Sequence, residues 1–144
     1  MTAEAVVVAP RQVSYCEYRL EFPGEPESLF VIRASIRAMC TSWSIAQDEA
    51  DTTVLLACEV ATNSIAVSRG EVLRLTVRRV LDYLYFDCSD RSHAIPETPP
   101  MPDAEELELS GRGLALVEEL ASSCGWMPMA DEQGKIRWFT LAAR

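Results

Sequence analysis

The chain has 144 residues, 49% of them hydrophobic and 24% charged, which suits one folded core, is too short for two, and excludes a disordered polymer. Lys and Arg number 13 against 22 Asp and Glu, and the net charge of -9 excludes non-specific attachment to nucleic acid or to an anionic membrane surface while leaving a basic protein partner open. Cys16, Cys40, Cys58, Cys88 and Cys124 form no C-x-x-C pair, and with one histidine there is no zinc pattern. They read as reduced thiols used as small apolar residues in a cytoplasmic protein. No run approaches the ~20 apolar residues of a membrane span, and no signal-peptide pattern opens the sequence.

In chain order, residues 1–13 read as a loose leader to a single domain covering 1–144. Ser14–Phe22 is rich enough in Tyr, Leu and Phe for a strand, and Pro23-Gly24-Glu25-Pro26 breaks it. Leu29, Ile32, Ile36, Met39, Cys40 and Trp43 recur at helical spacing, which predicts an amphipathic helix over Glu27–Trp43. A second helix opens at Asp48, with a core stripe of Leu55, Cys58, Ala61 or Thr62, and Ile65, and stops at Gly70. Val72–Val80 and Tyr83–Ser89 alternate as strands and are joined closely enough to pair as a hairpin. Asp90–Pro102 carries four prolines and is irregular; Ala104–Leu109 is an acidic turn. Gly111-Arg112-Gly113 opens a third helix with Leu114, Val117, Leu120 and Ala121 on one face. Cys124–Met129 and Ile136–Leu141 close the chain as a hairpin, with Gly134-Lys135 in its turn. The order β α α β β α β β predicts an α/β two-layer sandwich, a mixed and largely antiparallel sheet with helices on one face.

Three sets of residues carry chemistry. Glu59 and Asn63, four apart, share one face of the second helix at the edge of its core stripe. An amide oxygen there suits Mg²⁺, and a carboxylate suits the activation of a nucleophile; alternatively the pair is a solvated helix face. Asp90 directly follows a strand, where it either accepts from a ligand amino group or closes an Asx turn. Gly111-x-Gly113 at a helix start lets backbone N–H groups approach an anion, or is simply a flexible loop end. His93 reads as solvated. Neither a dinucleotide fingerprint nor a P-loop is present.

The order and intervals of these motifs resemble the N, G1 and G2 boxes of the histidine-kinase-like (Bergerat-fold) ATPases. More narrowly, the chain resembles the actinobacterial branch related to serine-kinase anti-sigma factors. The likeness runs over about residues 18–141, through FPGEPESL, LLACEVATNSIAVS, LYFDCSD leading into DRSHAIP, SGRGLALVEELASSCGW and GKIRWFTL. It implies a Bergerat ATP-binding fold with ATP and Mg²⁺ as cofactors. By position, Glu59 matches the general base and Asn63 the Mg²⁺-binding asparagine. Asp90 matches the aspartate on the adenine amino group, preferred to Asp87 because only Asp90 gives the D-x-S-x-x-x-P spacing with Ser92 and Pro96. Gly111 and Gly113, with Arg112 and Leu114, match the phosphate-side segment, and residues 97–110 match the lid. Ser92 stands for the first G1 glycine. Ala66-Val67 replace the Arg-His that often follow the asparagine, and the lid carries Glu97, Asp103, Glu105, Glu106 and Glu108. The resemblance implies a homodimer that transfers phosphate from ATP to a serine of an anti-anti-sigma protein, or a non-catalytic module that sequesters a sigma factor or another regulator.

Overall fold

Residues that alternate apolar with polar form strands, and residues with apolar side chains every third or fourth place form helices. The computed structural model describes residues 15–91, 112–129 and 133–143. They build strand β1 (Tyr15–Pro23), helices α1 (Ser28–Ser42) and α2 (Gln47–Val67), strands β2 (Val72–Val80) and β3 (Tyr83–Asp90), helix α3 (Arg112–Leu120), and strands β4 (Ser123–Pro128) and β5 (Lys135–Ala142). This is the order expected from the sequence. The leader 1–13, Ser92, His93, the acidic turn, residues 97–110 and Gly111 lie outside the described residues. So do the side chains at 112–114, so the phosphate-side residues Arg112, Gly113 and Leu114 are placed only as the first turn of α3.

The sheet runs β1-β2-β3-β5-β4, and all four neighbouring pairs are antiparallel. The expected α/β two-layer sandwich with a largely antiparallel sheet is therefore present, and every described strand pair is antiparallel. The segment containing α3 returns the chain to the far edge, and the β4–β5 hairpin then lays β5 between β4 and β3. On one face Leu73, Leu75, Val77, Leu84, Phe86 and Phe139 are buried under the helices. There Phe86 and Phe139 stack with centroids 4.9 Å apart. On the other face the alternate residues include Glu17, Arg19, Glu21, Arg74, Arg78, Tyr85 and Trp138. The register sets Glu17 against Arg78 and Glu21 against Arg74, with nitrogen–oxygen separations of 2.7 and 3.4 Å. One buried and one solvated face is the usual condition of an antiparallel sheet.

Helix α1 buries Ile32, Ile36, Met39 and Cys40 as its spacing demands. The stripe expected on α2 is rotated. Leu55 is 42% exposed, Thr62 is exposed and Cys58 is only half-buried, whereas Leu56, Ala57, Val60, Ala61, Ser64 and Ile65 are buried. The reason is close approach: small side chains at 57, 61 and 64 let the helix backbone lie near the sheet and its flanking helices, and that face wins over the one bearing the larger Leu55. Helix α2 packs on β3 and β5 and is flanked by α1 and α3. It ends before Gly70, whose φ of +83° an L side chain rarely adopts.

Strand β3 also runs one residue further than expected. Asp90 is its last ladder residue, not the first residue of a loop, and its partner is Lys135. Lys135 in turn opens β5 instead of sitting in the hairpin turn. A charge pair across the ladder extends the pairing of both strands by one step.

Candidate functional site

The pleat of β3 sorts its acids. Cys88 and Asp90 face the helix layer, while Tyr85 and Asp87 face the open side. On the open side the Tyr85 hydroxyl donates to Asp87 Oδ2 at 2.7 Å, and burial pushes the Asp87 carboxyl above its ordinary range. A cavity of about 630 Å³ lies there, between Arg19, Arg74, Arg78, Asp87 and Ile136. Its charges are largely matched within the protein, and it is on the wrong side of the sheet from α2. The chemistry-bearing residues gather on the other face.

There, α2 supplies Glu59 and Asn63, both half-buried. The Asn63 amide nitrogen donates to the Glu59 carbonyl oxygen at 3.1 Å. That bond spends the nitrogen end. The amide oxygen, the atom a hard cation binds, has no hydrogen bond among the described residues. The Glu59 carboxylate likewise has no hydrogen bond or ion pair among the described residues. Both functional ends are therefore available for chemistry.

One residue further on, Ser64 is fully buried, and among the described residues its hydroxyl meets only the Cys88 thiol, a weak hydrogen-bond partner. A buried hydroxyl served this weakly keeps hydrogen-bonding capacity for a ligand or a water. Burial pushes the Cys88 thiol up to about 12, which keeps it protonated at neutral pH and rules it out as a nucleophile.

Asp90 sits two residues beyond Cys88 on the same face, 1% exposed. The Arg91 amide donates to Ser68 Oγ at 2.6 Å and so ties the end of β3 to the end of α2. Lys135 Nζ donates to Asp90 Oδ1 at 3.1 Å, with the lysine 6% exposed. Behind it Gly134 has φ +133°, and a Cβ there would collide with the Asp90 carbonyl oxygen, so the backbone approach demands glycine. The structure thus brings Glu59, Asn63 and Asp90 to one side of the sheet, with α3 packed on α2 beside them. Of the residues matched by resemblance, Ser92 and Gly111 lie outside the described set.

Two residues of this neighbourhood were missed by sequence reasoning. Ser64 follows Asn63 on the small-residue stripe, and its spacing from Ala57 and Ala61 was the available signal. Lys135 is the only lysine of the chain and stands in phase with Phe139 and Leu141, where alternation calls for an inward side chain.

The arrangement suits a nucleotide. It offers a buried acceptor at a strand end, a weakly partnered hydroxyl, and an uncommitted amide oxygen and carboxylate on the adjoining helix. Among the described residues no group of three His, Cys, Asp or Glu side chains is placed to hold a metal ion. No helix of the described residues is long and apolar enough to cross a membrane. Residues 22–140 match the family model of the histidine kinase-like ATPase domain. No curated protein matches the chain.

Proposed function

The chain belongs to the histidine kinase-like ATPase family and is an ATP-binding domain, and from that premise we propose that it is an anti-sigma factor with serine/threonine kinase activity toward a small anti-anti-sigma protein. The observation that carries this reading is the pair of uncommitted groups on α2, the Glu59 carboxylate and the Asn63 amide oxygen, beside the buried Asp90. Asp90 accepts from the adenine amino group. The first turn of α3 turns its N–H groups toward the phosphates, where a helix start favours negative charge. Mg²⁺ held by Asn63 supplies neutralisation of the phosphate charge when bound. Glu59 takes the proton of the incoming serine hydroxyl as the new oxygen–phosphorus bond forms and the bond to the β-phosphate oxygen breaks, with ADP as the leaving group.

A second reading is a non-catalytic ATP-binding module that sequesters a sigma factor or another regulator. It is favoured by one feature: the last turn of α2 carries no basic residue, and Ala66 and Val67 stand exposed there. In either reading the protein acts as a homodimer in the cytoplasm.

Two substitutions separate the readings, once thermal melting has shown that each variant folds. Glu59→Ala lowers phosphoryl transfer by ~10²–10⁴-fold, the worth of a general base, and leaves ATP affinity unchanged. Asn63→Ala lowers Mg²⁺-dependent ATP binding and transfer together. A wild-type protein that binds ATP and a sigma-type protein but transfers no phosphate establishes the module instead. Full kinase activity in Glu59→Ala removes Glu59 as the base.

A further inference from the structure

The Lys135 ammonium lies 3.1 Å from Asp90 Oδ1, and the two side chains are 7% and 1% exposed. An ion pair this deep loses hydration that an apolar pair of equal volume never had, so its use is sought in specificity. An ammonium carries three N–H donors. Asp90 takes one, and among the described residues Lys135 makes no other hydrogen bond. The pair is also held rigidly. Asp90 and Lys135 are ladder partners, and the backbone at Gly134 passes so close to Asp90 that a Cβ there would collide with its carbonyl oxygen. A fixed acceptor and a fixed donor with unspent N–H groups thus stand side by side on adjacent strands, facing α2.

We infer that Lys135 is a base-reading residue: while Asp90 accepts from the amino group of adenine, the Lys135 ammonium donates to the neighbouring ring nitrogen N1. The inference rests on the ATP reading of this site. Adenine presents an amino donor next to the N1 acceptor, the complement of the acceptor–donor pair. Guanine presents a carbonyl next to an N1–H, so in the same orientation both positions would meet like with like. Sites built to hydrogen-bond a polar edge discriminate strongly against an analogue lacking it, because their own buried groups are left unpaired.

The test is calorimetric titration of the wild-type protein with ATP, 1-deaza-ATP and 7-deaza-ATP. We expect 1-deaza-ATP, which lacks the N1 acceptor, to bind roughly 10- to 100-fold more weakly than ATP, the worth of one hydrogen bond from a charged donor. 7-Deaza-ATP keeps the edge and binds as ATP does. Lys135→Met loses ATP affinity by a similar factor and no longer distinguishes ATP from 1-deaza-ATP. Equal wild-type affinity for ATP and 1-deaza-ATP overturns the inference, and so does a folded Lys135→Met protein that binds ATP as well as wild type or better. The analogue titrations need no variant, so they decide the matter even if Lys135→Met fails to fold. Failure to bind any of the three nucleotides overturns the ATP reading of the site and this inference with it, whereas ATP binding without sensitivity to N1 overturns the inference alone.

Discussion

Asp87 and Asp90 are three residues apart on one strand, yet they have opposite surroundings. Asp90 has a lysine against it, whereas Asp87 is buried at 9% exposure beside a tyrosine hydroxyl. Desolvation raises the Asp87 carboxyl above its ordinary range. A carboxyl whose folded value is raised contributes stability that is full below the unfolded value and is lost as pH rises through the folded one. Asp87→Asn keeps the acceptor for Tyr85 without the charge. It should therefore melt higher than wild type near pH 7, with the gap closing as the pH falls toward the unfolded carboxyl value. Melting profiles of the two proteins that run parallel across that range would show that burial of the charge costs nothing. The thiols offer a second test at this scale. Cys88 is fully buried with its thiol pushed up to about 12, while Cys16 and Cys124 are half-buried. All five are free, and a thiol reagent applied to the folded protein should label Cys88 far more slowly than Cys16. Rapid labelling of Cys88 would mean that the inward face of β3, and with it the inward Asp90, is misassigned.

Among the elements, α2 is where reading by side-chain size failed. The exposed Leu55 and the fully buried Leu56 are adjacent and chemically identical, so they form a controlled pair. Leu56→Ala should cost about 2–5 kcal/mol, and Leu55→Ala less than ~0.5 kcal/mol, in denaturant unfolding. Equal costs would restore the stripe centred on Leu55. The end of β5 invites a similar comparison. Lys135→Met removes the lysine from beside the buried Asp90 and should destabilise by about 3–5 kcal/mol. Adding Asp90→Asn to the same chain removes the buried negative charge as well and should recover most of that loss. A double variant no more stable than Lys135→Met would mean that the pair contributes by packing and not by charge.

For the molecule as a whole, ATP binding and stability are linked. A ligand that binds only the folded state adds about 2.7 kcal/mol at a hundred times its dissociation constant. ATP should therefore raise the melting temperature by several degrees. GTP at the same concentration should raise it less, because its edge mismatches Asp90 and Lys135. Equal shifts from the two nucleotides would take base selection away from this pair.

What the sequence determined by itself is the order of elements, the faces of the strands and the helix face that Glu59 and Asn63 share. Strand alternation has a period of two, so Leu84, Phe86 and Cys88 could face only one way once any of them was inward. The spacing of Glu59 and Asn63 placed them on one helix face in the same manner, and the intervals of the motifs pointed to the family that residues 22–140 match. Tertiary structure decided what local periodicity does not contain. Several apolar stripes can be drawn on α2, and the one that packs is chosen by which face lies closest to the sheet and its neighbours, a property of small residues such as Ala57 and Ala61. Whether Asp90 ends a strand or begins a loop depends on Lys135, forty-five residues away along the chain. A buried charge takes its partner from whichever strand the sheet lays beside it, and that pairing, a long-range one, turned an apparent turn lysine into the counterion of the site.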